Sequence, residues 1–166
     1  MIVTFTRTGE RRYRVSVEGP GIEPLFMEPA PGYDSLLPHD AAHFIVENEL
    51  EIMGAVFGQL AVGGNAGTFR SPDLKKPRKA KKRGAALAKG NKADAVYSEH
   101  AVYAAQSRWE NQVIVPDTKI PANDIERICK KFEEFAALWS KLPVGGSVSM
   151  AWRHSKLRTK SKNDRS

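Results

Sequence analysis

Residues 2–17, IVTFTRTGERRYRVSV, decide the fold class, because their polarity changes with a period of two on both sides of one glycine-containing connection. Val3 and Phe5 alternate with Thr4 and Thr6; Tyr13, Val15 and Val17 alternate with Arg14 and Ser16. Successive side chains of a strand point to opposite faces, so the pattern describes two strands that each bury one face. The linking TGERR suits a β-hairpin with three to five loop residues. A third short strand is expected over 24–27. The segment 27–38, MEPAPGYDSLLP, packs three prolines and a glycine into twelve residues and is expected to be irregular.

Beyond Pro38 the period changes to that of helices. One helix is expected to start near Pro38, with Ser35 or Leu37 near its cap, and to run through HDAAHFIVENELEI to Gly54. At about 100° per residue its buried stripe is Ala42, Ile45, Val46 and Leu50, and its acidic stripe is Asp40, Glu47 and Glu51. His39 and His43 fall on the border between the two. A short helix over 55–62 leads into a turn whose Gly63, Gly64 and Gly67 supply positive φ. A further helix spans 94–110. The most regular one follows a capping-box-like pair, Asn123 and Glu126, with Ile125, Ile128, Cys129, Phe132, Phe135, Ala136 and Trp139 on one face. Pro143 and Gly145-Gly146 end it, and a last strand is expected over 147–152.

Strands that precede helices predict an α+β fold: an N-terminal antiparallel hairpin or small sheet packed against three or four helices. A chain of 166 residues can bury such a core as one domain without disulfides, and Cys129 has no partner within the chain. The expected organisation is a single domain over 1–152, interrupted by a flexible basic insertion at 71–92 and followed by a basic disordered tail at 153–166. The N-terminus carries charge before any apolar stretch of signal-peptide length, and no apolar run reaches the roughly 18–20 residues that cross a bilayer. A cytoplasmic location with no membrane partner is therefore expected.

Charge divides unevenly along the chain. Residues 70–92 hold ten Lys and Arg against one Asp, a net +9, and residues 153–166 hold six against one, a net +5. The rest keeps ten cations and seventeen acids, a net −7. Lys75, Lys76, Arg78, Lys79, Lys81, Lys82 and Arg83 form the densest cluster, able to attract a phosphate backbone through counterion release. No aromatic residue lies among them to stack on a base. The leading expectation is thus a non-enzymatic binding protein that contacts nucleic acid or a ribonucleoprotein surface through a basic loop and tail, without a cofactor.

His39 and His43 form H-D-x-x-H, two imidazoles one helical turn apart, which is the spacing used when one helix supplies two metal ligands. Asp40 stands where zinc peptidases carry a glutamate base. Glu47 cannot join His39 on one ion, since eight helical residues separate them by about 12 Å. A third ligand must come from another element, and Glu99, His100 and His154 are the candidates. This motif supports a second reading, a zinc-dependent hydrolase centred on the HDxxH helix. A third is a protein-protein adaptor.

The phrases LPHDAAHF, FGQLAVGG and NAGTF at 37–69, with the opening TFTRTGERRY, resemble a loose family of small bacterial proteins. The resemblance is densest over the hairpin and first helices, and the family carries no established activity or catalytic residue to transfer.

Overall fold

The structure, a computed structural model, describes residues 1–65, 67–73, 92–112 and 119–154. Strands β1 (Ile2–Gly9), β2 (Arg12–Gly19), β3 (Ile22–Met27) and β4 (Ser147–Ala151) form one antiparallel sheet in the order β3-β2-β1-β4. The helices are α1 (His39–Glu49), α2 (Val56–Ala61), α3 (Lys92–Trp109) and α4 (Ala122–Trp139). The expected α+β class and all four strands are present.

The period-two pattern sets which face of the sheet is covered. Val3, Phe5, Tyr13, Val15, Val17, Leu25 and Met27 are buried, while Thr4, Thr6, Arg14 and Ser16 stay at least partly exposed on the other face. Each such Val or Phe contributes about 1.5–3 kcal/mol by leaving water. Phe5 meets Phe44 of α1 and Phe135 of α4 edge-on at 6.2 and 5.5 Å, and Phe44 meets Phe57 of α2 at 5.2 Å. Helix α1 is therefore the central element, in contact with the other three helices. The apolar face of α4 is also covered: Ile128, Phe132, Phe135, Ala136 and Trp139 are all buried.

Several boundaries depart from the sequence expectation. Gly9 pairs with Arg12, so Glu10 and Arg11 alone make the turn, and a bulge between Arg7 and Gly9 absorbs the residue that had read as loop. Helix α1 stops at Glu49, not Gly54, because Glu51 takes a left-handed conformation with φ 54°. Helix α4 is capped by Pro121 with no side-chain hydrogen bond, so Asn123 lies inside the first turn and makes no capping box. Cys129 is half-buried rather than part of the core, with its Sγ 3.5 Å from the Ala105 carbonyl, and burial pushes its thiol pKa up.

The largest correction concerns α1. All residues from 41 to 48 are buried, because the helix is wedged between the sheet and three helices, so neither the acidic stripe nor the border exists as drawn. Glu47 is fully buried and His43 is only 7% exposed.

Candidate metal centre

The first turn of α1 is set by Pro38, whose fixed φ of −53° starts the helix, and by the hydrogen bond from the His39 N–H to the Gly32 carbonyl at 3.0 Å. Gly32 has φ 73°, and a Cβ there would stand 2.6 Å from the His39 Cβ. The loop before the helix can thus close over His39 only with glycine at this position. His39 is exposed and His43 lies beneath it, their rings 4.5 Å apart and nearly perpendicular.

Glu99 enters from α3. Its Oε2 lies 3.5 Å from His43 Nε2, and ligand atoms of His39, His43 and Glu99 all fall within 4.8 Å of one another. A tetrahedral ion with bonds of about 2.0–2.1 Å spaces its ligand atoms by about 3.4 Å. His39 and Glu99 are exposed and His43 is buried. Of the three ligands proposed from sequence, Glu99 joins the two histidines. His154 does not: it meets Trp152 edge-on beyond the far end of α1, with Nδ1 3.4 Å from Glu51. His100 is exposed and belongs to no ligating group among the described residues.

Beneath the ligands lies a polar network that the sequence did not reveal. Ser98 of α3, 1% exposed, places its Oγ 3.0 Å from His43 Nδ1 and donates to Glu47 Oε1 at 3.1 Å. The other oxygen of Glu47 accepts the N–H groups of Phe57 and Gly58 at 2.7 and 3.3 Å, so the carboxylate caps α2 as well. His43 Nε2 is buried and has no hydrogen-bond partner. Burial pulls the His43 pKa down, but Glu47, Glu99 and Asp40 together outweigh it and raise the pKa above the ordinary imidazole value.

Asp40 is engaged elsewhere. The Tyr13 hydroxyl hydrogen-bonds both the Asp40 carboxylate and the Pro31 carbonyl. Burial raises the Asp40 pKa, opposed by the Tyr13 bond and by the two histidines, and it raises that of Tyr13. The second position of the motif thus anchors the helix to β2 and has no hydrogen bond to either ring.

A small cleft of about 150 Å³ beside His39 is lined also by Gly32, Asp34, Gln106, Trp109 and Glu110, and of the three ligands it includes His39 alone. A larger groove, about 330 Å³, lies between β4 and α4 against Phe135, Leu138, Val148 and Met150, and includes none of the three ligands. In the glycine turn, Gly63 and Gly67 have positive φ as expected but Gly64 does not, and Asn65 holds the turn through bonds to Gly67 and Phe69.

The seven cations Lys75, Lys76, Arg78, Lys79, Lys81, Lys82 and Arg83 lie outside the described residues, as does the tail from residue 155. Among the described residues no helix is long and apolar enough to cross a membrane. No family model, curated protein or solved structure matches the chain.

Proposed function

We propose that this chain binds a divalent transition metal of the zinc type at His39, His43 and Glu99 and uses it for metal-dependent hydrolysis. The observation that carries the reading is the buried, unpartnered Nε2 of His43, which faces a carboxylate 3.5 Å away beside a second imidazole. An Nε2 lone pair opposite a carboxylate is repulsive; a proton on the ring, which makes the two an ion pair, removes the repulsion at low pH, and a metal cation between them removes it once that proton is lost. Two imidazoles and one carboxylate are a donor set used by catalytic zinc, and the exposed side of the cluster leaves a further position for water. The ion would supply Lewis acidity and make water nucleophilic near neutral pH. His39, His43 and Glu99 hold it, and the cleft beside His39 is where a substrate approaches.

The test is metal content followed by activity. Protein purified without chelator or affinity tag should carry zinc near one equivalent per chain, and His43→Ala should carry none. Zinc at a hundredfold excess over its Kd should raise the Tm of stripped protein by about 5–10 °C. Hydrolysis of nitrophenyl esters or phosphodiesters should disappear on chelation and return with zinc. Less than about a tenth of an equivalent, with a Tm indifferent to zinc, would overturn the reading.

The charge division favours a second reading. A body of net −7 that carries a +9 stretch at 70–92 and a +5 tail is arranged to hold a polyanion through those two segments, nucleic acid or a ribonucleoprotein surface.

A further inference from the structure

The described hydrogen bonds around His43 can be accounted for proton by proton. Glu47 is fully buried, and every bond it makes is one it accepts: Phe57 N–H and Gly58 N–H on Oε2, Ser98 O–H on Oε1. A serine hydroxyl has a single proton. With that proton on Glu47, the Ser98 oxygen can only accept from His43, whose Nδ1 lies 3.0 Å away. Direct donation from Nδ1 to Glu47 Oε1 at 3.8 Å is too long for a hydrogen bond. The opposite arrangement, Ser98 donating to a bare Nδ1, would leave its oxygen lone pairs against the carboxylate at 3.1 Å with no proton between them.

We infer that Ser98 is a positioning residue: backed by Glu47, it fixes the proton of neutral His43 on Nδ1 and thereby keeps Nε2 as a bare lone pair aimed between His39 and Glu99. The claim that this lone pair serves a metal rests on the function proposed above. The proton assignment rests only on the network. Metal-ligating histidines characteristically give their second ring nitrogen to an acceptor that sets tautomer and ring orientation. Here the acceptor is a hydroxyl, and its own orientation comes from a carboxylate that also caps α2 and so cannot swing away. Asp40, the neighbour that sequence would nominate for the role, is bonded to Tyr13 instead. Ser98 is too deeply buried, at 1% exposure, to meet a substrate, so it acts through His43 rather than as a nucleophile.

The test begins with the wild-type protein stripped of metal, at a pH above the titration of His43, using ¹⁵N nuclear magnetic resonance of its ring nitrogens. The expected spectrum has a protonated Nδ1 and an unprotonated Nε2, and in Ser98→Ala the proton should move wholly or partly to Nε2. Zinc affinity of Ser98→Ala should fall by about 10–100-fold. Ser98→Thr, which keeps the hydroxyl, should restore both the tautomer and most of the affinity. A serine with a merely structural role would lower the Tm without moving the proton, so a folded Ser98→Ala with unchanged tautomer overturns the inference. A wild-type His43 that carries its proton on Nε2 overturns it without any variant. A protonated Nδ1 in a protein that takes up no zinc upholds the proton assignment and overturns the metal reading instead.

Discussion

His43 stands among three carboxylates, Glu47, Glu99 and Asp40, and beside the His39 imidazole, and its folded pKa is raised above the ordinary imidazole value of 6.5. A base with a raised folded pKa binds its proton more tightly in the native state. In metal-free protein its contribution to stability is therefore fully present below pH 6.5 and is lost as pH rises through the folded pKa. Asp40 acts in the same direction over a lower window that opens above the ordinary aspartate value of 3.8. Thermal melts in chelator from pH 5 to 9 should show wild type losing stability relative to His43→Gln as pH rises. A difference that stays flat across pH 6–9 would remove the carboxylate environment assigned to His43. With zinc present the trend should weaken or invert, since proton and metal compete for the same ring. The two histidines could be found from sequence because a four-residue spacing on a helix has geometric meaning by itself. Glu47 could not, because its charge suggests solvent, and only the N–H groups of Phe57 and Gly58 and the Ser98 hydroxyl make its burial tolerable. Ser98 was equally hidden, and Glu99 stood only as one of three candidate ligands, because sequence does not say which residues of α3 face α1; the fold brings Ser98 to Nδ1 and Glu99 to Nε2 of His43.

Among the elements, α4 was the most legible, because its apolar residues recur at three and four over eighteen positions. Its partners could not be read from the same pattern. Trp139 is 1% exposed, stacks on Phe135 at 5.9 Å, meets Tyr13 edge-on at 6.0 Å, and donates its indole N–H to the Asp34 carbonyl at 2.9 Å. Trp139→Ala should cost about 3–5 kcal/mol in denaturant unfolding. Because Tyr13 in turn holds Asp40, the same change should loosen the start of α1 and weaken zinc binding. A cost below about 1 kcal/mol would mean that α4 does not seat there. The strands were legible for the same reason as α4, a repeat that survives burial of one face. Helix caps and ends were not, because Pro121 and the left-handed Glu51 act through backbone geometry that no side-chain pattern records.

At the scale of the molecule, the described body places its ligand cluster on one end of α1 while the sheet, α2 and α4 bury the rest of that helix. The cationic stretch belongs to a different kind of argument, since its signal is charge and carries no geometry. If it holds a polyanion, changing the seven cations of 75–83 to Gln should leave the fold and zinc content intact. Affinity for duplex nucleic acid should drop, and its dependence on salt should become shallower. An unchanged affinity with an unchanged salt slope would remove that role. The central claim, that His39, His43 and Glu99 form one metal centre, is tested most directly by zinc-edge anomalous diffraction from crystals of stripped protein reloaded with one equivalent of zinc. The account predicts a single strong peak within about 2.0–2.2 Å of a His39 nitrogen, His43 Nε2 and a Glu99 carboxylate oxygen. A peak elsewhere, or none with His43 Nε2 still unengaged, would contradict it.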